Sequence, residues 1–308
     1  VSVVAVVATF RRPRELARLL ASLAGIDAIV VCDNAASAEV RDLVECAACR
    51  THYLAPEMNL GCGGGLRLAE EHTWKAEGSR LTHLLVLDDD AVLAPDTIPT
   101  QLAALERTSA HAAYPLVTGP DGRTGWLPGL RDRAQHRLGK TSMNVAEYRA
   151  RLGTDIADFD WAQGICLLAT REAVETAGFH RDDFWVRGED LDFSLRLTAR
   201  GRGVFVPGAV VQHLPPPSGA LSDDRVEYLR HAALVQNIAF LGLTQPHGRR
   251  IRHSIAGASW RFVRTWGPRC IPDLLTALRR GTRGEPAGAG TGHTFRKRFN
   301  ELVRESAL

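Results

Sequence analysis

Leu81-Thr82-His83-Leu84-Leu85-Val86-Leu87-Asp88-Asp89-Asp90 is the stretch that decides how this chain folds. Its apolar part, Leu81–Leu87, reads as a strand buried on both faces, as in a parallel sheet. Three carboxylates stand at the carboxyl end of that strand. They repel one another unless a cation or hydrogen-bond donors compensate. Hard oxygen ligands suit Mg²⁺ or Mn²⁺, either of which bridges a diphosphate. A solvated turn or helix start ahead of Pro95-Asp96 would account for the same acids.

Working back towards the start, Val1–Thr9 is a second β-branched apolar run. Pro13 sits at a first helical position, and Leu16, Leu19, Leu20 and Leu23 recur at helical spacing before Gly25. Ala28–Cys32 is the next buried strand and ends in Asp33-Asn34. These pieces make a βαβ unit with a right-handed crossover. Arg41–Cys46 reads as a short helix, His52–Leu54 as a strand, Asn59–Gly65 as a glycine-rich loop and Leu66–Ala76 as a helix. Ligands of open α/β sheets gather at the carboxyl ends of the strands, so Asp33, the glycine-rich loop and the Asp triplet are expected to face one edge.

Beyond the triplet, Ile98–Arg107 reads as a helix and Gly119–Lys140 as a loop or hairpin region. Gly164–Thr170 is an apolar strand, and a helix over Arg171–Ala177 ends at Gly178. Asp190–Arg200 alternates like a strand at Leu191, Phe193, Leu195 and Leu197, yet 191/195 and 193/197 also pair on a helix. Gly201 as a C-cap favours the helix. Gly203–Val211 is strand-like, with Pro207 marking an edge or a break. Pro215-Pro216-Pro217 then marks a boundary. Asp224–Leu243 reads as a helix, and Arg249–Val263 interleaves arginines with apolar residues. Gly281–Gly292 is glycine-rich, and Thr294–Leu302 is again basic.

Three further features bear on chemistry. Asn59-Leu60-Gly61-Cys62-Gly63-Gly64-Gly65 permits close backbone approach to a ligand, and amides ahead of a helix receive anions; a flexible turn has the same composition. It is no P-loop, because no Gly-Lys-Ser/Thr follows. Trp185-Val186-Arg187-Gly188-Glu189-Asp190 puts two acids at a helix start, where the dipole alone would favour them. Trp161, Phe184 and Trp185 are core aromatics or a platform for a sugar ring. His213 is a ligand or a satisfied core histidine.

The order of these features resembles that of the family 2 glycosyltransferases. The matching stretches are Val3–Leu23 with Thr9-Phe10-Arg11-Arg12-Pro13, Ile29–Ser37, Asn59–Gly65, Leu84–Leu93 and Gly164–His213. The glycine-rich loop and the RGEDLDFSLR stretch are most similar to the bacterial cell-surface branch that includes galactofuranosyl and rhamnosyl transferases. The resemblance implies a GT-A fold: an α/β, mostly parallel nucleotide-binding sheet over 1–215, with a helical basic appendage over 216–308. Residues 1–110 would be its nucleotide-sugar half and 111–215 its acceptor half. It implies metal-dependent, inverting transfer from a UDP- or dTDP-sugar to a glycan, lipid-linked or small-molecule hydroxyl. Asp88, Asp90 and His213 would hold Mn²⁺ or Mg²⁺. Thr9, Arg11, Asp33, Asn59, Gly61, Gly63, Gly64, Asp88 and Asp89 would take the nucleotide-sugar. Asp190 would be the catalytic base with Glu189 beside it, and Trp161 and Trp185 would meet the acceptor.

Composition limits the rival classes. The chain has 308 residues, 45% of them hydrophobic, and a formal net charge of +3, too mild for a nucleic-acid partner. Cys46 and Cys49 form a lone CxxC pair, which does not complete a zinc site. The six cysteines fit a reducing cytoplasm. No run of 18 or more apolar residues exists to span a membrane. The basic, aromatic stretch 249–266 suits peripheral contact with the inner face of a membrane, a structural cap or a contact between two copies. A sugar nucleotidyltransferase would show a basic glycine-rich signature after the first strand, which Arg11-Arg12-Pro13 lacks. A non-catalytic sugar- or lipid-binding relative would have lost the acids that are present here.

Overall fold

The computed structural model describes residues 1–132, 134, 136, 142–215, 224–246, 248–288 and 301–302. They form two compact units. The first comprises Val1–Met58, Gly65–His180 and Phe193–Pro215. The second comprises Asn59–Gly64, Arg181–Asp192 and the chain from Pro216. The expected division at 215 is therefore joined by two short excursions, and both carry motifs singled out above.

The first unit is built on a sheet of ten strands among the described residues. In chain order these are β1 (Val3–Thr9), β2 (Ala28–Asp33), β3 (Arg50–Leu54), β4 (His83–Asp88), β5 (Ala91–Leu93), β6 (Ala112–Thr118), β7 (Thr124–Gly125), β8 (Ala157–Phe159), β9 (Cys166–Thr170) and β10 (Gly203–His213). The spatial order is β3-β2-β1-β4-β9-β6-β10-β5, with β7 on β6 and β8 on β10. β3, β2, β1 and β4 run parallel, as do β6 and β10. β9 is antiparallel to both β4 and β6. β1, β2 and β4 are buried almost throughout, as their continuous apolar runs require.

Helices cover this sheet. α1 (Pro13–Ser22) starts at Pro13 and buries Leu16 and Leu19. α2 (Ala38–Glu45) is capped by Ser37, whose hydroxyl accepts from the Val40 amide. α3 (Gly61–Glu77), α4 (Thr97–Thr108), α5 (Val145–Leu152), α6 (Arg171–Ala177) and α7 (Glu189–Arg200) follow. Asp190–Arg200 is thus helical, the pairing of 191 with 195 and 193 with 197 having prevailed over the alternation. Pro207 does not end its strand. β10 continues to His213 with a register shift between Val206 and Val210 against β6, a bulge that accommodates a residue with no amide hydrogen.

In the second unit α8 (Asp224–Thr244), α9 (Ser254–Trp266) and α10 (Ile271–Thr282) share a core of Val235, Ile238, Ala258, Phe262, Cys270 and Ala277. The first residue of the glycine-rich stretch, Gly281, lies inside α10, where a Cβ would strike the Gln236 carbonyl and Ala239 of α8. The basic segment 294–302 falls outside the described residues except for 301–302.

Candidate functional site

Strand register brings three chain segments level in the first unit. Thr9 pairs with Asp33 across β1 and β2, and Ala8 pairs with Asp88 across β1 and β4. The carboxyl ends of these strands carry the expected residues. Asp33 is fully buried, and its carboxylate faces its own turn. It accepts from the Ala35 amide at 2.9 Å, the Ser37 amide at 2.7 Å and the Tyr53 hydroxyl at 3.0 Å. Burial, together with that bond to Asp33, pushes the Tyr53 phenol up to about 12. Asp33 therefore shapes the turn that leads into α2.

The Asp triplet is divided in its tasks. Asp88 keeps a side chain 40% exposed, whereas Asp90 is buried. Asp89 is also buried, and its two oxygens are held by the Thr9 hydroxyl at 2.7 Å and Arg12 Nη1 at 2.6 Å. Burial pushes the Asp89 carboxyl up to about 7, partly offset by the Arg12 charge. Thr9 and Asp89, both expected to face the nucleotide, are thus bonded to each other. Arg12 also reaches Asp90 Oδ2 at 2.6 Å through Nη2. This arginine had no role in the sequence reading. Its signal was the Arg-Arg-Pro start of α1, which does not say which arginine turns inward. Arg11 takes a φ of 57° and stays exposed, its guanidinium over the Phe10 ring.

After Asp90 the chain reverses as β5 and pairs antiparallel with the end of β10, setting His213 opposite Ala91. The Leu214 amide donates to the Asp90 carbonyl at 2.9 Å. His213 Nε2 thereby comes to 2.8 Å from Asp90 Oδ1 and 3.7 Å from Asp88 Oδ2. Ligand atoms of Asp88, Asp90 and His213 all lie within 4.8 Å of one another. Asp90 Oδ1 is buried and receives no well-aligned hydrogen bond among the described residues. A cation between it and the imidazole would satisfy both, so the donor set fits a divalent ion with oxygen and nitrogen ligands. Burial alone would raise the Asp90 carboxyl, but His213 and Arg12 hold it below its ordinary value. Burial alone would lower His213, but Asp90 and Asp88 raise it. Trp126 closes this corner with its ring against His213, centroids 4.5 Å apart and planes at 87°. Nothing in the sequence drew attention to Trp126.

The second unit carries the other motifs. The expected loop Asn59–Gly65 is corrected: Gly61–Gly65 are the first residues of α3. Their glycines are required by crowding. A Cβ on Gly61 would strike the carbonyl and ring of Trp185, and one on Gly63 would lie 2.5 Å from the Arg181 carbonyl. The first amides are also engaged, Gly61 by the Asn59 side chain at 2.8 Å and Cys62 by the Trp185 carbonyl at 2.8 Å. Trp185 is only 2% exposed. It packs with Val226 in the interior of this unit, so its ring is closed to a sugar.

The segment ahead of α7 is held in sparsely populated backbone conformations: φ is 57° at Trp185, 64° at Arg187 and 102° at Gly188. Such conformations persist only where the surroundings enforce them. Here Asn237 of α8 does so. Fully buried, it donates to the Arg187 carbonyl at 2.6 Å and the Val186 carbonyl at 3.3 Å. Its Oδ1 accepts from the Ala287 amide at 2.7 Å. This clamp sets the start of α7, where Glu189 is buried and Asp190 is half-buried. Asp190 Oδ1 accepts from the Leu191 amide at 2.8 Å. In the first unit Trp161 is half-buried, and its ring covers Gly129.

Comparison with known proteins supplies independent findings. The family described as "Glycosyltransferase like family 2" matches residues 2–227. Galactofuranosyltransferase GlfT1 of Mycobacterium tuberculosis is 36% identical over 206 residues, 65% of this chain and 66% of that protein, so the chain spans just under two thirds of that relative's length. Among solved structures, S. aureus TarS 1-349 aligns with a TM-score of 0.60 at 14% identity, covering 100% of this chain and 91% of that one. A crystal structure of GalNAc-T7 with UDP, GalNAc and Mn²⁺ aligns with a TM-score of 0.56 at 14% identity, covering 92% of this chain and 56% of that one.

Proposed function

The chain belongs to glycosyltransferase-like family 2, and from that premise we propose that it is a metal-dependent, inverting glycosyltransferase. It moves a sugar from a UDP- or dTDP-sugar to a hydroxyl of a glycan, lipid-linked or small-molecule acceptor. The observation that carries this reading is the return of β5 onto β10, which gathers Asp88, Asp90 and His213. A divalent Mn²⁺ or Mg²⁺ held there supplies Lewis-acid stabilisation of a leaving diphosphate. Arg12 pairs with Asp90 and favours its charged form. Thr9 and Arg11 remain on the nucleotide side, with Thr9 acting through Asp89. Asn59, Gly61, Gly63 and Gly64 act by bringing backbone close to the Trp185 loop. Asp190 takes the proton of the acceptor hydroxyl as that hydroxyl's oxygen bonds to the anomeric carbon and the bond from this carbon to the diphosphate breaks. Direct displacement inverts that carbon. Glu189 orients the acceptor, and Trp161 offers the acceptor an aromatic edge.

UDP or UDP-GlcNAc accompanies solved structures of the same fold, and the 36% identical relative is named a galactofuranosyltransferase. Purified protein with Mn²⁺ is therefore to be tested against UDP-, dTDP- and GDP-sugars, UDP-activated galactofuranose included. Hydrolysis or transfer of a UDP- or dTDP-sugar is expected with Mn²⁺ and none in EDTA. Equal turnover in EDTA would remove the metal from the account.

Residues 249–266 are proposed as a peripheral contact with an anionic membrane surface. Trp260 is 64% exposed, and Arg249, Arg252, Arg261 and Arg264 are exposed around it in the sequence. The aromatics of this stretch, Trp260, Phe262 and Trp266, are divided in their exposure. Phe262 is fully buried, and Trp266 packs against the helical core. No helix among the described residues is long and apolar enough to cross a membrane.

A further inference from the structure

The second unit contains a concavity of about 100 Å³ lined by Arg187, Arg230, His231, Leu234, Ala258 and Arg261. Three arginines and a histidine are among its lining residues. Arg230 is partly compensated by Glu227, at 2.6 Å from Nη1. Among the described residues no carboxylate pairs with the side chain of Arg187 or of Arg261. Like charges gathered without counter-charge destabilise the fold unless an anion offsets them. The guanidinium fork matches phosphate oxygens in pairs, which makes arginine the residue suited to such a group.

Arg187 is placed by more than chance exposure. Its backbone has a φ of 64°, uncommon for a residue with a side chain. The buried Asn237 pins its carbonyl at 2.6 Å. α8 supplies both the clamp Asn237 and the wall residues Arg230, His231 and Leu234, while α9 supplies Ala258 and Arg261. The concavity is therefore built on two packed helices and one enforced turn. That turn leads within three residues to Asp190.

We propose that Arg187, Arg230, Arg261 and His231 form an anion subsite for a phosphate or diphosphate group, a site that stands independently of the function proposed above. Its volume suits a compact phosphate or diphosphate group, and its wall of Leu234 and Ala258 provides no donors for sugar hydroxyls. The selection is for compact negative charge.

The test uses inorganic pyrophosphate in EDTA, so that neither metal nor turnover is involved. Calorimetric titration of wild-type protein is compared with Arg261→Gln, Arg187→Gln and, as a control from the same helix, the exposed Arg264→Gln. Pyrophosphate binds the wild type and Arg264→Gln alike. Its affinity falls about tenfold in Arg261→Gln, the loss of one charge-assisted pair, and further in Arg187→Gln. No binding to wild type, or binding that Arg261→Gln and Arg187→Gln leave unchanged, overturns the subsite. A second arm identifies the source of the anion. Phosphatidylcholine vesicles with phosphatidic acid that bind through Arg261 and release with pyrophosphate assign it to a lipid headgroup. Pyrophosphate binding without vesicle binding assigns it to a soluble phosphate-bearing compound. Absence of donor turnover by wild-type protein that binds pyrophosphate would refute the proposed function and leave the subsite standing.

Discussion

At the scale of the residue, Asp89 and Arg12 show why adjacent acids differ in use. Asp89 accepts from Thr9 and Arg12 and is internal; Asp88 and Asp90 meet His213. Replacing Arg12 with Leu leaves buried carboxylates with one donor fewer. It is expected to cost roughly 2–3 kcal/mol in urea unfolding, below the full cost of breaking a buried pair because Arg12 is partly solvated. Unchanged stability would mean that the triplet needs no counter-charge. Asp190→Asn preserves shape but cannot accept a proton, so turnover should fall roughly 10²-fold or more with nucleotide affinity retained. A collapse of donor binding in that variant would reassign the residue. The acids stood out in the sequence because three adjacent carboxylates at a strand end repel one another unless a cation or donors compensate. Arg12 and Trp126 did not, since their parts depend on which way a turn directs each side chain.

At the scale of the element, the glycines of α3 are the sharpest divergence between sequence and structure. Four glycines in five positions read as a loop by propensity, yet they begin a helix, because neighbouring backbone passes where side chains would be. Propensity alone predicts that Gly63→Ala stabilises this helix by about 1 kcal/mol. The Arg181 carbonyl at 2.5 Å from the added Cβ predicts the opposite, a loss of roughly 1–3 kcal/mol. A thermal melt distinguishes the two by sign. Gly201 teaches a related lesson. The helix α7 does end before it, but the requirement for glycine is the His111 ring lying against it rather than a left-handed cap. Asn237 was silent in the sequence, being one of several polar residues along α8. Asn237→Ala is expected to cost about 2 kcal/mol, leaving buried carbonyls unsatisfied, and to lower turnover through the α7 start. A variant as active and stable as wild type would show that the strained turn holds itself.

At the scale of the whole molecule, the strand and helix order was legible because apolar runs and periods are local. The unit boundaries were not, because membership of Asn59–Gly64 and Arg181–Asp192 in the second unit depends on packing between distant stretches. The exposed Trp260 and its basic neighbours predict sedimentation with anionic vesicles that weakens with salt and in a variant with Arg249, Arg250 and Arg252 changed to Ser. No sedimentation at low salt would leave α9 a structural helix alone. The central claim is that Asp88, Asp90 and His213 bind a divalent ion that couples the donor's diphosphate to this family 2 chain. The most direct measurement is calorimetric titration of UDP into wild-type protein and into Asp90→Asn, each with Mn²⁺ and with EDTA. The account predicts that Mn²⁺ strengthens UDP binding about tenfold or more in the wild type and has no effect in Asp90→Asn. Equal UDP affinity in Mn²⁺ and EDTA for the wild type would contradict it.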